Sequence, residues 1–143
     1  MSAALTAAVL VVSDRVASGT HEDRSGPAAR GFLERAGFAV TGVTVVPDEE
    51  GAIGAALVRL ADEERAALVV TSGGTGFAPR DRTPEATAAV LDREAPGLAE
   101  LLRRETFART PFAALGRGRA GLRGATVIVN LPGNPAGVVE CLE

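Results

Sequence analysis

Apolar positions in this chain fall into short continuous runs separated by stretches with helical spacing. Residues 7–13 (AAVLVVS) contain four consecutive aliphatics, the pattern of a strand buried on both faces. Residues 38–46 (FAVTGVTVV) alternate and then run apolar, and residues 67–71 (ALVVT) and 125–130 (ATVIVN) read as two further buried strands. Between the strands the period lengthens. Ala29, Phe32, Leu33 and Ala36 share a helical face, with Ser25 placed to cap the helix and Gly37 to end it. Ile53, Ala56, Leu57, Leu60 and Ala61 line one stripe of a helix reaching about Arg65. Thr83 as N-cap and Pro84 at the first helical position open a helix to about Arg93. Pro96 opens another, with Leu98, Leu101 and Leu102 inward and Arg103 and Arg104 outward. Residues 110–124, rich in Gly and Arg, leave room for a short strand at 112–115, and Ala136 begins a last helix.

Strands alternating with helices predict an α/β fold, a mostly parallel sheet covered on both faces in an α/β/α sandwich. The length of 143 residues points to a single domain over 1–143. In such sheets ligands bind beyond the C-terminal strand ends, where strand order switches. Four loops fall there, at 13–15, 47–49, 72–81 and 131–135, each rich in Gly, Pro, Asp or Ser.

The stretch 67–85, ALVVTSGGTGFAPRDRTPE, reads as strand, Gly-rich loop, helix. It is neither a GxxxxGK[ST] P-loop nor a full GxGxxG turn. Gly73, Gly74 and Gly76 permit backbone angles closed to other residues, and the amides of residues 73–76 can converge on one anion. A side chain at Gly74 would then take the anion's place at little cost to the fold. Arg80, Asp81 and Arg82 lie in the same loop. Asp48 and Asp81 each follow a strand in a loop containing proline, and are the candidate reactive or Mg²⁺-binding carboxylates. A loop aspartate is as often a turn residue; two of them on the ligand side of one sheet favour chemistry. Ser13, Ser72 and Thr75 offer hydroxyls for phosphate or for capping.

Composition narrows the partners. Five Phe, no Trp, no Tyr and a net charge of −3 argue against a nucleic-acid surface built on base stacking or broad positive charge. One cysteine, Cys141, excludes an intrachain disulfide and reads as a packing residue. No apolar run long enough to cross a membrane and no basic leader are present, so a cytoplasmic protein is expected. His21, the single histidine, reads as a solvated loop residue rather than a zinc ligand. Arg117, Arg119 and Arg123 form a basic group open to an anion, a neighbouring subunit or solvent.

Together, VVSDR (11–15), VPDE (46–49), TSGGTGFAPRDRTPEAT (71–87), DREAPGLAELLR (92–103) and NLPGNPAG (130–137) closely resemble the MoaB/Mog family of molybdenum-cofactor biosynthesis proteins. The resemblance implies a molybdopterin-binding α/β/α fold, usually trimeric and in some branches hexameric. In active members it implies Mg²⁺-dependent transfer of AMP from ATP to the terminal phosphate of molybdopterin, with release of pyrophosphate. A non-catalytic molybdopterin carrier of the same fold is the alternative, and a scaffold or interaction domain is a third. By the same resemblance, the essential acidic pair falls on Asp48 and Asp81, which would also meet Mg²⁺. The substrate loop falls on Ser72, Gly73, Gly74, Thr75 and Gly76, and a second pterin-side loop on Pro132, Gly133 and Asn134. Ser13 and Asp14 fall at the nucleotide-side edge. Family chains continue past the helix expected at Ala136, so this one reads as shortened at its C-terminus.

Overall fold

The computed structural model describes residues 5–107 and 115–131. Pro132, Gly133, Asn134, the helix expected from Ala136 and Cys141 therefore lie outside the described residues, as do 112–114 of the expected short strand. In chain order the elements are β1 (Thr6–Val12), α1 (Asp14–Ala17), α2 (Ser25–Arg35), β2 (Ala39–Val46) and α3 (Glu50–Val58), which a π-type turn over Arg59–Glu63 prolongs. Then follow β3 (Leu68–Ser72), α4 (Thr83–Val90), β4 (Arg93–Glu94), α5 (Pro96–Phe107), β5 (Ala120–Arg123) and β6 (Thr126–Leu131).

The six strands form one sheet in the order β2-β1-β3-β6-β5-β4. The four aliphatic strands β2, β1, β3 and β6 are mutually parallel, while β5 and β4 add an antiparallel edge. Because side chains alternate along a strand, β1 feeds both faces. Ala7, Val9 and Val11 pack with Ala29 and Leu33 of α2 and Ala99 of α5. Ala8, Leu10 and Val12 pack with Ile53 and Leu57 of α3 and Ala86 of α4. The result is the expected three-layer sandwich.

Several local expectations shift. Ser25 and Thr83 are the first residues of α2 and α4 rather than their caps. At α2 the Gly26 N–H donates to Asp23 Oδ1 instead (2.9 Å). The helix α4 stops at Val90, because Leu91 turns extended and Arg93 and Glu94 pair with β5. On α5 the inward residues are Ala99 and Leu102. Leu98 and Leu101, expected inward, are 36% and 49% exposed, since the face that meets β5 runs through 99 and 102.

The chain leaves β1 towards β2 on one side and returns to β3 on the other, so the strand order switches beside the C-terminal end of β1. Under that point a buried polar group ties three elements. Asn130 Nδ2 donates to Thr71 Oγ1 and Thr87 Oγ1, both at 3.0 Å, and Asn130 Oδ1 accepts from the Arg119 N–H (2.9 Å). This joins β3, β6 and α4 beneath the loop that follows β3.

Candidate active site

At the end of β3 the chain must cross the end of β1, and the glycines make the crossing possible. Gly73 has φ +102°, and a Cβ there would stand 2.2 Å from Val12 O. Its N–H donates to Leu131 O (3.3 Å) and so is not offered to an anion. Gly74 has φ +71°, and a Cβ there would meet Thr83 Oγ1 at 2.3 Å and Asp48 Oδ1 at 3.3 Å. Both positions need glycine for the protein's own contacts. The expectation that a side chain at 74 would displace only an anion is therefore corrected. The amides of Gly74, Thr75 and Gly76 have no acceptor among the described residues. That leaves three of the four expected cradle donors.

The loop is joined to α4 by the Thr83 N–H, which donates to Gly74 O (3.1 Å). The Thr83 hydroxyl is thereby turned against Gly74, fully buried and without a hydrogen-bond partner among the described residues.

Asp48 follows β2, and Asp14 follows Ser13 at the end of β1. The two aspartates exchange bonds: the Asp14 N–H donates to Asp48 Oδ2 (2.8 Å), and the Asp48 N–H donates to Asp14 Oδ1 (2.9 Å). Arg80 then grips the Asp14 carboxylate with two parallel bonds, Nε to Oδ2 (2.8 Å) and Nη2 to Oδ1 (2.7 Å). Asp14, expected at the nucleotide-side edge, is thus a junction between strand ends and loop. The Arg80 guanidinium, with help from the Asp48 amide, holds its carboxyl below the usual carboxylate range. Asp48 goes the other way. Burial, and then the charges of Asp14 and Asp81, push its carboxyl up, against the lowering effect of the bond from the Asp14 amide.

Asp81 folds back under its own loop. Its Oδ2 accepts from the Ala78 N–H (2.9 Å) and lies 2.9 Å from where a Cβ on Gly76 would stand. The structure therefore brings Asp48 against Gly74 and Asp81 against Gly76, on one loop at one rim of the sheet.

Ser13 caps α1, its Oγ accepting from the Val16 N–H (3.2 Å). With Ser72, Arg15, His21, Asp23 and Ser25 it also lines a cavity of about 490 Å³ beside the ends of β1 and β3. His21, expected in solvent, is exposed at that cavity's edge, its Nδ1 3.0 Å from Thr20 O.

The basic group resolves into three separate pairs. Arg119 meets Glu94, and Arg123 meets Asp62 (2.8 Å) and Val90 O (2.8 Å). Arg117 meets Glu85 (2.6 Å) and reaches back to the Gly-rich loop. Sequence reasoning missed two of these engagements, the grip of Arg80 on Asp14 and that of Arg117 on the loop. Both are long-range pairings with no local pattern to mark them.

Comparison with known proteins identifies the fold and the family. Residues 8–143 match the family described as a probable molybdopterin binding domain. The chain is 42% identical over 139 residues to the molybdopterin adenylyltransferase of Helicobacter pylori, covering 94% of this chain and 78% of that protein. It is 42% identical over 141 residues to the molybdenum cofactor synthesis protein cinnamon of Drosophila melanogaster, covering 97% of this chain but only 23% of that longer protein. Among solved structures, the molybdopterin biosynthesis enzyme MoaB of Thermus thermophilus superposes with a TM-score of 0.90 at 50% identity, over 97% of this chain and 87% of that one. The fold, and a family match spanning almost the whole chain, lead to one assignment: the chain belongs to the molybdopterin-binding domain family of molybdenum cofactor biosynthesis.

Proposed function

We propose that this chain is a molybdopterin adenylyltransferase, transferring AMP from ATP to the terminal phosphate of molybdopterin and releasing pyrophosphate. The observation that carries the reading is that Asp48, from the loop after β2, and Asp81 both lie against the loop that presents the amides of Gly74, Thr75 and Gly76. A family relative at 42% identity bears that enzyme's name. A loop that only bound an anion would gain nothing from two carboxylates beside it, since like charges repel.

The side chains present fit Mg²⁺. Burial and neighbouring acids push the Asp48 carboxyl up, and a cation beside it would offset that effect. No cluster of three acidic or other ligating groups occurs among the described residues. Asp48 and Asp81, two oxygen donors against Gly74 and Gly76 of one loop, suit an ion held by one or two carboxylates together with substrate phosphates. Asp48 and Asp81 would hold it, and when bound it would offset charge on the transferring phosphoryl group. The chain's own part is to bind and orient phosphate through the loop amides, with the two carboxylates held beside that loop. Pro132, Gly133 and Asn134 complete the pterin side in this reading, and Ser13 and Ser72 supply hydroxyls at the cavity between β1 and β3.

We take residues 1–143 as one such domain, acting as a homotrimer on small molecules in the cytoplasm. Among the described residues, no helix is long and apolar enough to cross a membrane.

The test is pyrophosphate release from ATP, Mg²⁺ and molybdopterin. The parent is expected to turn over, and Asp48→Asn and Asp81→Asn to lose about 10²-fold or more in kcat while folding normally. Molybdopterin binding without pyrophosphate release in the parent would make the protein a carrier instead.

A further inference from the structure

Arg117, in the segment before β5, reaches the Gly-rich loop and α4 and bonds four residues there. Its main-chain N–H donates to Thr75 O (3.0 Å). Its Nε donates to Gly76 O (2.7 Å), its Nη2 to Asp81 O (2.8 Å) and its Nη1 to Glu85 Oε2 (2.6 Å). The guanidinium carbon also lies 5.6 Å from the centroid of the Phe77 ring. One side chain thus holds the rising limb of the loop at Gly76, its descending limb at Asp81, and the first turn of α4 at Glu85.

The geometry suits a guanidinium and little else. Three acceptors lie around one planar fork, and a lysine ammonium, a single compact charge, cannot serve both limbs and Glu85 in the same plane. With these bonds made, the fork is largely spent on protein acceptors. Among the described residues, Arg117 is the only donor to Gly76 O and Asp81 O, so removing it takes away the one tie that spans both limbs, leaving the local bonds between Ala78 and Asp81 and between Thr83 and Gly74.

We propose that Arg117 is a positioning residue of the nucleotidyl-transfer site: its guanidinium sets the spacing between Gly76 and Asp81, and with it the place of the Asp81 carboxylate against the loop amides. Glu85 fixes the guanidinium in turn. This rests on the adenylyltransferase reading for its kinetic consequence, but not for its effect on the loop.

Two measurements test it on Arg117→Ala and Arg117→Lys, with Arg119→Ala as a control that removes an equal charge nearby. Amide hydrogen exchange read by mass spectrometry should show residues 74–82 exchanging about tenfold faster in both Arg117 variants, with β1 and β3 unchanged and the control like the parent. In steady-state assays kcat should fall by roughly 10²-fold, as a displacement of about 1 Å can cause, while KM for ATP and for molybdopterin stays within about threefold. If Arg117→Ala does not fold, Arg117→Lys carries both arms. Unchanged loop exchange overturns the proposal, because the loop is then held by something else. A raised KM with kcat intact also overturns it, because Arg117 would then be a direct substrate ligand. If the parent itself releases no pyrophosphate, the adenylyltransferase reading falls, and the exchange arm alone decides whether Arg117 sets the loop.

Discussion

Asp48 carries its charge against the interest of the folded chain. Burial raises its carboxyl pKa in the native state, assisted by Asp14 and Asp81. A carboxyl raised on folding contributes stability that is full below its unfolded value and lost as pH rises through the native one. At neutral pH ionised Asp48 therefore opposes folding. Asp48→Asn keeps an oxygen for the Asp14 N–H and removes the charge. The variant should be slightly more stable than the parent at pH 7, by a few tenths of a kcal/mol after allowance for solvent screening, with the difference closing below the ordinary aspartate range. Calorimetric melts of both proteins from pH 3 to 7 check this, and a variant less stable at pH 7 would sink it. The candidacy of Asp48 was legible in the sequence because it follows an aliphatic strand in a proline loop. The opposite behaviour of Asp14 was not, because it depends on Arg80, 66 positions away.

Elements with long apolar runs or clear helical stripes were readable, and those without were not. The strands β1, β3 and β6 show a near-continuous aliphatic signal because the sheet buries them on both faces, while β2, an edge strand, stays half-buried to exposed and was readable from its alternation. The antiparallel edge escaped because β5 is AGLR and β4 is two charged residues, whose pairing rests on tertiary context. Caps moved by one position because other groups claimed the bonds: Asp23 at α2, and Gly74 O at α4. The loop glycines were legible as special, but not for which contact. Gly74→Ala puts a Cβ into a left-handed backbone angle and 2.3 Å from Thr83 Oγ1. It should cost at least about 1–2 kcal/mol, measured by denaturant unfolding. Gly51→Ala, on α3 with open space around the added carbon, should instead stabilise by roughly 0.4–1 kcal/mol. Equal effects at the two sites would mean that the loop yields to a side chain at position 74.

At the scale of the whole molecule, the question is what covers the outer face of α5. Leu98 and Leu101 stand one helical turn apart and remain 36% and 49% exposed. They are out of register with the inward pair Ala99 and Leu102. Full burial of a leucine is worth about 1.5–3 kcal/mol, so two such residues on each copy can contribute materially to association. A homotrimer repeats that gain at every subunit contact, and mass action then stabilises the fold as concentration rises. Light scattering on the parent at micromolar concentration should give three times the mass of the chain. Leu101→Asp would place a charge in a desolvated contact and should shift the population to the monomer, with the melting temperature becoming independent of concentration. The substitution leaves Ala99 and Leu102 in place, so the sheet and the loop at its rim should persist, and far-ultraviolet dichroism should be unchanged. A trimer that survives Leu101→Asp would place the subunit contact away from this face of α5. A parent that scatters as a monomer would remove the trimer altogether, leaving Leu98 and Leu101 as exposed apolar positions with no role in assembly.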